Sequence, residues 1–143
     1  SANADSTGRV AAMPQPGQTT HGGPLTTLPG GKSANQAAAA ALVGAPTAFV
    51  GAVGMDDNGD FLAASLDACG VDTGNLHRVK VATSCAIITV DARAENMIVV
   101  TEGANNQVDD EILDAARDAL TSAKAVGLGH TKADAVFGRG LGD

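Results

Sequence analysis

The run Leu28-Pro29-Gly30-Gly31-Lys32-Ser33-Ala34-Asn35-Gln36, leading straight into Ala37–Ala41, constrains this chain more than any other segment. Two adjacent glycines allow a tight backbone turn and leave amide N–H groups uncovered. The alanines that follow are the strongest of helix formers. A helix start carries unsatisfied N–H donors and a partial positive charge, and here a lysine and an asparagine add polar groups to it. The segment reads as a corner suited to the hydroxyls of a polyol or to a phosphate. Taken alone, it is equally a plain glycine turn into a helix with a solvated lysine. Gly31-Lys32-Ser33 also looks like the end of a phosphate-binding P-loop. That loop requires a further glycine where Thr26 stands, and Pro29 would remove one of the cradling N–H donors. The P-loop reading is therefore set aside.

Around this corner the hydrophobic pattern alternates between strand and helix. Thr47–Val53 is a short, nearly continuous apolar run, as expected of a strand covered on both faces. Residues 58–69 carry Phe61, Leu62, Leu66 and Cys69 on one helical face, and Gly70 follows where a C-terminal cap belongs. Residues 109–122 repeat the pattern with Ile112, Leu113, Ala116 and Leu120, after the acidic start Asp109-Asp110-Glu111. Lys124–Leu128 reads as a further buried strand. Such alternation predicts an α/β sheet built from right-handed crossover units. Aromatic residues make up only 2% of the chain, so its core must be small and aliphatic.

Two segments read differently. Ser84–Val90 and Asn96–Thr101 flank the polar turn Asp91–Glu95, which has hairpin length. With Gln18–His21 and Leu25–Leu28 they predict a small antiparallel sheet, or else edge strands of the main sheet. An isolated small sheet needs something to cover its apolar face.

Several function classes drop out. The formal net charge is -7 without a basic cluster, which argues against nucleic acid. No apolar run approaches the roughly 20 residues of a membrane span, and no signal-peptide pattern opens the chain. Cys69 and Cys85 read as reduced core residues, and His21, His77 and His130 lie on separate elements without metal-ligand spacing. A cytoplasmic location is expected.

The motifs hold a fixed order and spacing. Gly30-Gly31-Lys32-x-x-Asn35-x-Ala37 is followed by Gly44, then by Gly54-Met55-Asp56-Asp57-Asn58-Gly59. Gly70-Val71-Asp72, Glu95-Asn96 and Gly103-Ala104-Asn105 come next, while Ser1-Ala2-Asn3-Ala4-Asp5 and Pro16-Gly17-Gln18-Thr19 stand upstream. In this order the chain resembles the N-terminal half of the ribokinase-like (PfkB) carbohydrate kinases, over about residues 1 to 125. Ser33 departs from the small apolar residue or glycine usual in that signature.

The resemblance implies a three-layer parallel sheet flanked by helices, with a small antiparallel β lid over the sugar that often serves as a dimer interface. On that view residues 1–130 form a partial domain with lid segments at about 18–28 and 83–101. Residues 131–143 then read as a flexible tail. The resemblance further implies that Asn3, Asp5, Gly31, Lys32 and Asn35 hold sugar hydroxyls, and that Ala86 and Ile88 face the sugar from the lid. Carboxylate, amide and ammonium groups together can satisfy several hydroxyls that are otherwise costly to bury.

The activity so implied is ATP-dependent phosphorylation of a sugar or nucleoside hydroxyl, with Mg²⁺ screening the phosphates. The departures from the pattern matter as much. A first strand expected before Ser1 is missing, and Ser6-Thr7-Gly8 falls where apolar strand residues belong. His130 stands near the place of a sugar-contacting glutamate. The nucleotide-binding half with its Asn-x-x-Glu segment does not follow, and Gly140-Leu141-Gly142-Asp143 only matches the spacing of the catalytic Gly-Ala-Gly-Asp. The resemblance thus implies a chain incomplete at both ends, binding neither ATP nor Mg²⁺ by itself and inactive alone. A non-catalytic sugar-binding or lid-mediated dimerisation remnant is the other reading.

Overall fold

The computed structural model describes residues 1–129. Along the chain come β1 (Asn3–Arg9), β2 (Thr26–Gly30), α1 (Lys32–Leu42), β3 (Gly51–Gly54), α2 (Asp57–Ala68) and β4 (Leu76–Val79). They are followed by β5 (Cys85–Val90), β6 (Asn96–Thr101), a 3₁₀ turn at Ala104–Gln107, α3 (Asp110–Ala115) and α4 (Arg117–Ser122).

β3 and β4 form a parallel pair, with Gly51 opposite Leu76 and Gly54 opposite Val79. Every residue of β3 is buried, as its continuous apolar character predicts. Successive strand side chains point to opposite faces, and the two faces of β3 meet different layers. Val53 joins Ala2, Ala34 and Ala37 near α1, Leu62 and Leu66 of α2, and Phe49 and Val71. Ala52 instead packs with Ala104 of the 3₁₀ turn and Ile112 of α3. This is a sheet between two helical layers, and the alanines of α1 let that helix lie close.

The second sheet has four strands in the order β2-β1-β5-β6. β1 pairs antiparallel with β2 and parallel with β5, and β5 pairs antiparallel with β6. The expected hairpin at 84–101 is present as β5 and β6. Its turn is tied by Asp91, whose carboxylate accepts from the backbone N–H groups of Arg93 at 2.8 Å and Glu95 at 3.1 Å.

Five expectations are corrected. Asn3–Arg9, with no apolar alternation, is nonetheless a strand, because it is hydrogen-bonded on both sides; tertiary pairing overrides propensity here. Gln18–His21 forms no strand: the chain turns at Gln15–Gln18, and only the bridge Val10↔Gly22 links this excursion. Lys124–Leu128 also forms none, since no described strand pairs with it and an unpaired buried strand would strand its N–H and C=O groups. The helix expected over 109–122 is broken at Ala116, which ends α3 and opens α4. Phe61, placed on the buried face of α2 by its spacing, is exposed, while Leu62 and Leu66 of that face are buried. The readings that involve His130 and residues 131–143 lie outside the described residues.

Candidate functional site

The register of the four-stranded sheet gathers the polar corner. Asn3 pairs with Gly30, Asp5 with Leu28 and Ala86, and Thr7 with Ile88. Residues opposite one another share a face, so Asn3, Asp5, Ala86 and Ile88 lie on one side of the sheet. Gly30 is buried against Asp5: a side chain there would collide with the Asp5 carboxylate. Gly31 caps α1 with φ 95°, a left-handed conformation that favours glycine. A Cβ on Gly31 would lie 2.5 Å from the Ser1 carbonyl oxygen, so this turn tolerates no larger residue.

Asp5 is the unusual member. Its Oδ1 is buried and has no hydrogen-bond partner among the described residues. Burial raises its carboxyl above the ordinary aspartate range. An unpartnered buried carboxylate costs stability and is more often found where a ligand completes it. Asn3 beside it is half-buried and receives a hydrogen bond from Asn105 at 2.7 Å.

Lys32 and Asn35 are placed less tightly. Both are exposed on α1, and no side-chain hydrogen bond caps that helix. Asn35 lines a narrow cleft of about 90 Å³ between α1 and α2 with Pro29, Gly30 and Ser65. Gly30 thus borders both the Asp5 carboxylate and the Asn35 cleft. Thr26–Gly30 is a strand rather than a phosphate-wrapping loop, in keeping with the rejection of a P-loop.

Just behind the corner, the Gly54–Gly59 motif ties the two sheets together. Asp56 accepts from the Gly59 N–H at 2.8 Å, which caps α2, and from the Thr83 hydroxyl at 2.6 Å and N–H at 2.8 Å. Thr83 in turn accepts from the Gly54 N–H at 2.8 Å, and Arg78 donates to the Gly54 carbonyl at 3.1 Å. Burial alone would raise the Asp56 carboxyl, but the bonds from Thr83 and Gly59 and the Arg78 charge together hold it below the usual range. Thr83 lies two residues before β5, so this carboxylate fixes where the hairpin leaves the α/β layers.

Sequence reasoning named the Gly54–Gly59 and Gly103–Asn105 motifs without giving Asp56, Thr83 or Asn105 a role. An Asp three residues before a Gly at a helix start was the available signal for the cap. Nothing local signalled the bonds to Thr83 or to β1. Among the described residues no group of three or more His, Cys, Asp or Glu could hold a metal ion. No helix of the described residues is long and apolar enough to cross a membrane. Cys69 and Cys85 are free; Cys69 packs on the core as expected, and Cys85 lies beside Thr101.

Comparison with known proteins agrees with this geometry. A ribokinase of Arabidopsis thaliana is 37% identical over 116 residues, covering 79% of this chain and 31% of its own length. One of Bacillus subtilis is 42% identical over 95 residues, covering 66% of this chain and 32% of its own. The structure of Arabidopsis thaliana ribokinase complexed with ribose and ATP superposes with a TM-score of 0.70 at 35% identity, over 82% of this chain and 40% of that one. The chain therefore spans about a third of the length of the curated relatives it matches. The model of the pfkB family carbohydrate kinases matches residues 1–136, and the chain belongs to that family.

Proposed function

We propose that this chain carries the sugar-recognition part of an ATP-dependent carbohydrate kinase. The observation that supports it is the buried, unpartnered Oδ1 of Asp5, on the same sheet face as Asn3, Ala86 and Ile88. A pentose or a nucleoside ribose presents hydroxyls that such an acceptor can take. Ala86 and Ile88 offer apolar contact to the carbon skeleton, while Gly31, Lys32 and Asn35 supply the opposite rim. Residues 83–101, with 26–30, act as the lid. Phosphoryl transfer would need an aspartate base, an anion hole and a nucleotide site, to which no described residue is assigned, so ATP and Mg²⁺ would be used by a longer family member.

The test is calorimetric titration with D-ribose and with ATP, in parallel with a kinase assay. Ribose binding that Asp5→Ala weakens by about 1–3 kcal/mol is the expected result. Absence of ribose binding overturns the reading, and phosphoryl transfer from ATP to ribose by this chain overturns the division of labour.

A second reading rests on a separate observation. Met97, Ile98, Val99 and Val100 of β6 are 55%, 50%, 56% and 61% exposed. Met97 and Val99 pair with Thr89 and Ile87, on the face away from Ala86 and Ile88; exposed apolar surface of this kind marks an interaction site, and a second copy of the lid would cover that face. On this reading the chain is a lid-mediated dimer, measured by sedimentation.

A further inference from the structure

Asn105, just after the lid, closes a bonding chain whose atom identities the backbone dictates. The Ala2 N–H donates to Asn105 Oδ1 at 2.9 Å, and Asn105 Nδ2 donates to the Ala2 carbonyl at 3.1 Å. A backbone N–H only donates and a carbonyl only accepts, so this pair settles which end of the Asn105 amide is oxygen. Nδ2 has a second hydrogen, and it goes to the Asn3 side chain at 2.7 Å. The Asn3 atom receiving it must be Oδ1. What Asn3 has left is its NH₂ group, a pair of donors. Two residues on, and on the same face, Asp5 offers an acceptor with no partner. Neighbouring hydroxyls need this combination: one oxygen to receive a hydrogen bond, and one hydrogen to give.

We propose that Asn105 is a positioning residue of the sugar site, holding the Asn3 amide so that it donates to one sugar hydroxyl while Asp5 accepts from another. The inference rests on the sugar-site reading of Asn3 and Asp5. Without Asn105 the Asn3 amide can turn over and present a second acceptor beside the Asp5 carboxylate, which suits a diol poorly. Asn105 is itself held, since its N–H donates to the Ser84 hydroxyl at 3.3 Å and the Ser84 carbonyl accepts from the Ala4 N–H at 3.0 Å. Both ends of the relay are thereby fixed to the start of β5.

Two measurements on the ¹⁵N-labelled chain test this. The side-chain amides of Asn3 and Asn105 are followed by NMR, and D-ribose is titrated into the unmodified chain and its variants. The expected result is a single ordered Asn3 amide that becomes averaged in Asn105→Ala, with ribose affinity falling about tenfold. In an Asn3→Ala background the same Asn105→Ala change should have no further effect, because the residue acts through Asn3. Asn105→Asp guards against a folding defect: it keeps an acceptor for the Ala2 N–H but cannot donate to Asn3, so it too should lose affinity. Ribose binding that ignores both Asn105 variants, or falls equally in the Asn3→Ala background, overturns this inference alone. An unmodified chain that does not bind ribose overturns the sugar-site reading and this inference with it.

Discussion

β3 and β6 are both rich in aliphatic residues, yet they live in opposite surroundings. β3 is buried from Gly51 to Gly54, whereas β6 is exposed from Asn96 to Val100. The difference is what lies over each face. β3 is sandwiched between the α1–α2 layer and the Ala104–Ile112 cluster, while β6 is the last strand of its sheet with both faces open among the described residues. Hydrophobic residues in β3 stabilise the fold directly. Those in β6 are exposed among the described residues and add little to the stability of the fold.

The sharpest way to break this contrast is to truncate a side chain in the covered half. Leu62 is 1% exposed, and Leu62→Ala should cost about 2–5 kcal/mol in urea denaturation. A loss below about 1 kcal/mol would mean that the α2–β3 packing is not what holds the molecule.

Asp56→Ala probes the seam between the halves. It removes the cap of α2 and leaves Thr83 without its acceptor, for an expected loss of about 1–3 kcal/mol. Because the folded carboxyl is held low, the Asp56 contribution is present above the ordinary aspartate pKa. It disappears as pH falls through the lower folded value. The stability difference between the original chain and Asp56→Ala should therefore shrink in strong acid and not near neutrality.

Asp5→Asn should behave in the opposite sense. Its folded carboxyl is raised by burial, so the cost of ionising it is felt as pH rises through that raised value and is gone below the ordinary aspartate range. The variant should be more stable than the original chain at neutral pH, with the gain vanishing in acid, while binding ribose more weakly. A variant that loses stability at neutral pH would show that Asp5 is a structural residue and not one kept for a ligand.

The smallest effect belongs to the open strand. Val99→Lys should leave stability within about 0.5 kcal/mol and, if β6 meets a second copy, shift sedimentation toward the monomer. A large destabilisation would place β6 in the core and dissolve the contrast.

The covered half was legible from sequence because burial on both sides leaves a periodic trace. The apolar run Thr47–Val53 shows it where it enters β3 at Gly51, and α2 shows it in Leu62 and Leu66. β1 left no such trace: Asn-Ala-Asp-Ser-Thr-Gly-Arg has neither alternation nor bulk, and it is a strand because β2 and β5 supply its hydrogen bonds. The break at Ala116 was equally silent, since the apolar spacing continues across it. For the candidate site, the sequence offered Asn3, Asp5 and Gly30–Gly31 through their residue types and motif spacing, and the sheet register brings them together. The work of Asn105 and Asp56 was not, because the choice of a distant hydrogen-bond partner has no period along the chain.

The pairing of β1 with β5 carries one more consequence, and it concerns time. Asn3–Arg9 must find Cys85–Val90 across nearly all of the intervening chain, and contacts so remote in sequence form slowly because a long loop must close first. The β5–β6 hairpin and the β3–α2–β4 unit are local and can form early. The Asn3–Asp5 corner then comes into being only when β1 docks, so the proposed sugar site should be the final part of the molecule to assemble. In a refolding experiment, ribose recognition should lag behind the recovery of helical signal.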